Sequence, residues 1–310
     1  GIATRGARND KTGSMHPTVC LMCPADTPAT EIFPQSADVE HLGGGDFAAR
    51  KTHQRRHYRI VKCDGCGLVR SNPILDETTI GHLYEESAFS YGDISSLLAK
   101  TYLRAGRRAL DTLPKEAAIL DIGCGNGFLL KALYDQGWRN VYGFEPSSDA
   151  IRQAPPEIQP RIIPKMFTHA EAAEHAGQFD LIGFFHVLDH IIQPDQFLND
   201  CLTMLKPGGF IYGVTHNLGS PVHKIFGERS VAYDVQHIYL YSQDTIQKLL
   251  HQLGYTDITT TPIANTFPLG YLAHMAPLPK FAKRLLQANP WGRWNLTLGV
   301  GNMAFIARKG

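Results

Sequence analysis

From Ala117 onward, short apolar runs alternate with stretches whose apolar residues recur at helical spacing. Ala118–Ile122, Val141–Phe144, Arg161–Ile163, Phe179–Phe185 and Phe210–Val214 read as buried strands. Between and after them, Phe128–Tyr134, Ser148–Gln153, Asp195–Leu205 and Thr245–Leu253 read as helices, the last ended by Gly254. Ile258–Ile263 and Met303–Ala307 read as a closing pair of strands. Chains that alternate strand and helix bury both faces of a parallel sheet under helices. The pattern therefore predicts an α/β, doubly wound, mostly parallel seven-stranded sheet over residues 113–310, with an insertion at about 216–300.

The first quarter of the chain lacks such periodicity. Residues 1–14 read as an appended, non-native leftover ahead of Met15. Residues 15–75 are rich in Pro, Thr, Gly and His and can bury little apolar area, so they need a staple. Over 76–112 a helical connector is expected. Asp76-Glu77-Thr78 supplies a cap, and Leu97, Leu98, Tyr102, Ala105 and Ala109 fall at helical spacing.

Cysteine supplies the staple. Four of six cysteines form two Cys-x-x-Cys pairs, Cys20/Cys23 and Cys63/Cys66. In a reducing compartment such pairs read as metal ligands ahead of the disulfide or redox alternatives. Four thiolates match tetrahedral zinc and leave no open coordination position, so the zinc would be structural. Tyr58–Val69 reads as strand, knuckle and strand, and the long stretch between the pairs as an irregular loop.

Composition narrows the functional classes. The 30 Lys+Arg against 29 Asp+Glu, without a long basic run, argue against a nucleic-acid partner. No apolar stretch reaches the roughly 20 residues that span a bilayer, so no stable membrane insertion is expected and the default location is cytoplasmic.

The strongest chemical signal is Asp121-Ile-Gly-Cys-Gly-Asn-Gly127, between a strand and a helix. Glycines there let the chain turn tightly and a ligand approach closely, and the helix start offers free amide donors. Glu145 closes the next strand, where a carboxylate can accept from both ribose hydroxyls of an adenosine. The fit to a nicotinamide fingerprint is poor, because Phe128 stands three positions after Gly125. An ordinary strand–helix connection is the plain structural alternative.

Residues 118–215 resemble the core of class I S-adenosylmethionine-dependent methyltransferases, which implies a Rossmann-like fold. Ile119–Gly127 is similar to that family's first motif, and Phe144-Glu145-Pro146 to its acidic second motif. Phe179–Ile191 is similar to its "FDLI…hVLEHi" stretch, and Leu205–Gly209 to its "LkPGG" turn. The resemblance implies that Asp121, Gly123, Cys124, Gly125, Asn126, Glu145, Pro146 and His186 border the cofactor. It also implies that Tyr84 and Tyr91, upstream, could lid it. Asp189 stands where the family usually has Glu. A cysteine-paired module ahead of the core is similar to that of sugar C-methyltransferases and related small-molecule enzymes. In those enzymes a His and a Tyr line the substrate site, and His237 and Tyr239 match them, although the residues just before His237 do not.

Histidine titrates near neutrality, so His190 and His237 are candidates for the base, with Tyr239 beside them, although most of the 14 histidines must be surface or packing residues. The expected reaction is methyl transfer to a small-molecule acceptor: a sugar nucleotide, a glycan component or another biosynthetic intermediate. The insertion would cover that acceptor, and a second copy of the chain in a homo-oligomer is the other partner envisaged. The alternative is a zinc-containing binding module on a degenerate methyltransferase fold. The tail Phe267–Gly292 is expected to pack over the sheet, with acceptor cover or membrane contact as other readings.

Overall fold

Successive residues of the central strands face opposite ways, and the chain is apolar on both sides. In β6 (Ile119–Ile122), Ile119 packs toward one face of the sheet and Leu120 and Ile122 toward the other. In β9 (Phe179–Phe185), Phe184 and Phe185 part in the same way. Strands that are apolar on both sides belong inside a sheet covered twice. A computed structural model shows this arrangement, describing residues 14–47, 56–85, 94–275 and 294–310.

The large sheet also contains β7 (Val141–Phe144), β8 (Ile162–Ile163), β10 (Leu205–His216), β12 (Tyr255–Pro268) and β13 (Asn295–Lys309). Its seven strands run in the order β12-β13-β10-β9-β6-β7-β8. Strand pairs β6/β7, β6/β9, β7/β8 and β9/β10 are parallel, while β13 is antiparallel to both β10 and β12. One face is covered by α2 (Ser95–Ala105), α3 (Arg107–Leu110) and α4 (Phe128–Asp135). The other carries α6 (His169–Glu174), α7 (Pro194–Met204) and α9 (Gln243–Gln252). Helix α5 (Ser148–Arg152) follows β7, and Ser147 caps it by accepting from the Ala150 amide. Asp76 likewise caps α1 (Glu77–Glu85), accepting from the Thr79 amide at 2.9 Å.

Several elements depart from the sequence expectation. Lys206–Gly209, read as a turn after α7, lies within β10 as an irregularity between Leu205 and Phe210, with Gly208 at φ 74°. Strands β12 and β13 are 14 and 15 residues long and bend through two register shifts, so the closing pair exceeds its apolar core. The stretch between the cysteine pairs contains β2 (Ala29–Phe33), paired to β3 (Ile60–Cys63). The smaller sheet, β11-β4-β3-β2, takes β4 (Val69–Ser71) from the cysteine module and β11 (Tyr239–Leu240) from beyond the fifth strand of the core. Residues that flank it, Leu68, Ile74 and Ile238, join one core of the large sheet, while its own Ile60, Val69 and Leu240 pack with Ala232 and Tyr233 in a separate cluster. Among the described residues no helix is long and apolar enough to cross a membrane.

Candidate active site

At the carboxyl edge of the sheet, β6 runs into Gly123–Gly127. Gly123, Gly125 and Gly127 take φ of 72°, 56° and 66°, a left-handed backbone that strains any residue with a Cβ. The amides of Gly123 and Cys124 donate to Phe144 O at 2.8 and 3.1 Å, which pins the loop to the end of β7. Cys124 turns its side chain away from solvent, into the space left by Gly143, where a Cβ would stand 2.4 Å from Sγ.

Glu145 holds the two segments together. Its Oε2 accepts from the Gly125 amide at 2.9 Å and its Oε1 from the Ser147 amide at 2.8 Å. Burial pushes its carboxyl up, and those amides pull it partly back. Asp121, the third residue of β6, is buried with no hydrogen-bond partner for Oδ1. Burial first, then the charge of Glu145, hold its carboxyl well above the usual range. Asn126 Oδ1 is another buried oxygen without a partner. Two crowded acids beside a glycine cradle suit a ligand that brings positive charge and hydroxyl donors. The sulfonium, ammonium and ribose of S-adenosylmethionine have that chemistry, so the residues present fit the group.

A cavity of about 860 Å³ opens beside the loop. Ligand pockets span about 300–1,000 Å³, so this one lies near the top of that range. Gly123, Gly125, Glu145, Pro146, His186, His190 and His237 line it, whereas Asp121, Cys124 and Asn126 are not among the residues that do. Tyr84 lines the cavity and its hydroxyl lies 2.6 Å from His190 Nδ1. Tyr91 lies outside the described residues, as does the part of the tail between 276 and 293.

Beyond β9 the chain carries an imidazole cluster. His186 takes φ 56°, a left-handed conformation for a residue with a side chain, and its amide donates to Val214 O at 2.7 Å. Backbone strain of this kind persists only where the surroundings enforce it. The next turn, Leu188–His190, places Asp189 among three imidazoles. Burial alone would raise the Asp189 carboxyl, but the neighbouring His190 and the hydrogen bond from His216 outweigh it and hold the group well below the usual range. Burial lowers His237 to about 3, so it is a neutral ring at physiological pH.

Sequence reasoning missed His216 and His223. His216 ends β10 at the same sheet edge and its Nδ1 donates to Asp189 Oδ2 at 2.8 Å. Its signal was positional: it follows an apolar strand at the edge where ligands bind in open α/β sheets. His223 lies on α8 (Pro221–Phe226), with Nε2 donating to Gly301 O at 2.8 Å. Burial, helped by His216, lowers it to about 4. A histidine whose folded pKa is depressed resists protonation in the fold, while the unfolded chain takes the proton near 6.5. Stability from this residue is therefore lost as pH falls from about 6.5 toward 4. The expectation is an acid-labile midpoint that is less pH-dependent in His223→Gln, measured by thermal unfolding between those limits. An unchanged slope would exclude His223 as its source.

Tyr239 corrects the sequence expectation. It does not line the cavity. Its hydroxyl donates to Val19 O at 3.0 Å and its ring is buried in β11, because pairing with β4 turns it toward the cysteine module. The same pairing fixes its neighbour: Ser71 Oγ donates to His237 O and the Ser71 amide to Ile238 O, both at 2.8 Å. The module thus buttresses the segment that carries His237, just ahead of β11.

Within the module, Cys20, Cys23, Cys63 and Cys66 bring all four sulfurs within 4.8 Å of one another, and none is in a disulfide. Burial would raise the Cys63 thiol, but the amides of Cys66 and Gly65 outweigh it and bring the group to about 7. Amides pointed at sulfur favour thiolate, the form that binds metal. Gly65 leaves room for the turn, since a Cβ there would stand 3.1 Å from Cys23 Sγ.

Comparison with known proteins gives the class. A family model described as a methyltransferase domain matches residues 94–260, more than half the chain. The chain belongs to that methyltransferase family, and it is an S-adenosylmethionine-dependent methyltransferase. It is 27% identical over 168 residues to a ubiquinone biosynthesis O-methyltransferase of Escherichia coli, covering 49% of this chain and 70% of that one. Among solved structures, an S-adenosylmethionine-dependent methyltransferase of Archaeoglobus fulgidus is 18% identical with TM-score 0.48, covering 76% and 100% of the two chains. Geranyl diphosphate C-methyltransferase of Streptomyces coelicolor is 11% identical with TM-score 0.45, covering 69% and 77%.

Proposed function

We propose that the cavity binds S-adenosylmethionine along the glycine loop and places its methyl group toward the imidazole cluster, where a small-molecule acceptor is methylated. The observation that carries this reading is that one cavity is lined both by Gly125 and Glu145 and by His190 and His237. The bound donor supplies an electrophilic methyl on sulfur. Glu145 receives the ribose hydroxyls, and Asp121 with the loop favours the cationic amino-acid end. His186 borders the donor. Proximity and orientation then contribute most of the rate.

The cavity is also lined by Phe47, Ile80, Ile191, Phe267, Tyr271 and Leu272. Such a wall favours an acceptor with an apolar or ring body that carries an ionisable hydroxyl or an activated carbon. His190 is the base in this reading, since its Nδ1 is bonded to Tyr84 and its ring is partly exposed to the cavity. His237 orients the acceptor. The chain divides into a zinc-binding module over 15–75, a helical connector over 76–112 and the methyltransferase domain beyond, with Cys20, Cys23, Cys63 and Cys66 holding one Zn2+.

The test is incubation with isotopically labelled S-adenosylmethionine and a panel of ring hydroxyl, sugar-nucleotide and enolisable acceptors, read by product mass. A labelled product in the ring-hydroxyl set is expected. Absence of S-adenosylhomocysteine binding by calorimetry would remove the reading altogether. Tyr84→Phe is expected to lower kcat by about 10-fold with little change in donor affinity, by loss of the bond that orients His190; wild-type turnover would detach Tyr84 from the reaction.

A further inference from the structure

Asp189 is fully buried, and its Oδ1 has no hydrogen-bond partner. His190 Nε2 stands 3.7 Å from Oδ1 and His237 Nε2 stands 3.9 Å from Oδ2. Both separations are too long for hydrogen bonds. The far side of each group is nevertheless held. His237 Nδ1 lies 2.8 Å from Ala232 O. A carbonyl only accepts, so the proton is on Nδ1 and the neutral ring presents a lone pair at Nε2. His190 Nδ1 is bonded to Tyr84, and Asp189 Oδ2 accepts from His216 Nδ1. Metal-binding histidines and carboxylates are oriented by such outer partners. A carboxylate oxygen with no donor and an imidazole lone pair directed at the same space do not attract each other; they attract a cation.

We propose that Asp189, His190 and His237 form a binding site for a first-row divalent cation at the acceptor end of the cavity. The three ligand atoms lie within 4.8 Å of one another. Ligands about 2.0–2.2 Å from a common ion are roughly 3.3 Å apart, so closure by at most about 1.5 Å, within reach of side-chain rotation, completes the set. Two imidazoles and one carboxylate suit Zn2+, Fe2+ or Mn2+ better than Mg2+ or Ca2+. A second grouping, His186, Asp189 and His216, shares the carboxylate. It is the weaker choice, because the His216 proton already occupies the contact with Oδ2. His190 and His237 line the cavity, so an ion there keeps open positions toward the acceptor. Its use rests on the methyl-transfer reading: with the ion bound, His190 is a ligand and no longer the base, and the ion would hold an acceptor hydroxyl oxygen and lower that hydroxyl's pKa, so that its proton leaves to water. Its binding does not rest on that reading.

The test uses Mn2+, whose electron paramagnetic resonance signal reports the free ion and whose preference for nitrogen and oxygen separates it from the four thiolates. Full-length protein is first given one equivalent of Zn2+ and then titrated with Mn2+ at pH 7.5. One bound Mn2+ per chain is expected, with affinity at least about 10-fold weaker in His190→Ala and in His237→Ala. His251→Ala, an exposed site on α9, should match the wild type. Calorimetry with S-adenosylhomocysteine on the same samples reports the fold and the donor end. If an alanine variant loses its fold, His190→Gln or His237→Gln fills the space without an imidazole nitrogen. No Mn2+ binding by the wild type, or equal binding by the folded variants, overturns the proposal. Mn2+ binding without S-adenosylhomocysteine binding would instead refute donor binding and leave the cation site standing.

Discussion

Replacing Glu145 by Ala is expected to weaken S-adenosylhomocysteine binding by at least about 100-fold. The carboxylate is placed to accept from two ribose hydroxyls, and hydrogen bonds to a charged group contribute about 1.5–3 kcal/mol each. The same side chain organises the loop, through the amides of Gly125 and Ser147, so its loss removes both a contact and the shape of the cradle. Calorimetry reads the effect, and a change below about 5-fold would move the nucleoside away from Glu145.

The charge state of this end supplies a companion result. Burial and mutual repulsion raise the Asp121 carboxyl, and burial raises that of Glu145. A carboxyl whose folded pKa lies above its unfolded value costs stability as pH climbs from the ordinary carboxylate range through the raised value. A cationic ligand beside the pair relieves that cost. The rise in thermal midpoint caused by S-adenosylmethionine should therefore be larger at pH 8 than at pH 5. An equal or smaller rise at pH 8 would mean that the cationic end does not lie near these acids.

The second large effect is expected from Cys63→Ser. Structural zinc contributes on the order of 10 kcal/mol in small domains, comparable to the whole stability of a typical fold. Losing one thiolate should release the metal and unfold the small sheet. The consequence reaches the active site, because Ser71 on β4 holds the backbone of His237 and Ile238. Metal analysis should fall from one zinc to a small fraction per chain, and turnover should fall with it. A variant that kept its thermal midpoint within about 2 °C and its activity would show that no metal staples the module.

Much of the core was legible because local patterns there agree with the global fold. The apolar runs at 118–122, 141–144 and 179–185 became β6, β7 and β9, the first one residue shorter, since strands covered on both faces are largely apolar. The glycine loop was legible because left-handed backbone at three positions demands that residue. Other features were not. β2 is short, half-exposed and polar, so nothing local marks it until β3 offers a partner. Tyr239 reads as a substrate-facing residue until β4, about 170 positions earlier in the chain, pairs with its backbone and turns the ring inward.

What the sequence determined alone is chemistry that depends on neighbours in the chain: the glycine turn, the acid closing β7, the Cys-x-x-Cys knuckles and the alternation that demands a doubly covered sheet. Only the tertiary structure decided which histidines meet. His190, His216 and His237 come from three separate segments and gather around Asp189 because the carboxyl ends of β9 and β10 and the segment that β4 anchors ahead of β11 converge on one edge. Such encounters arise from the pairing of distant backbones, and no local spacing encodes them.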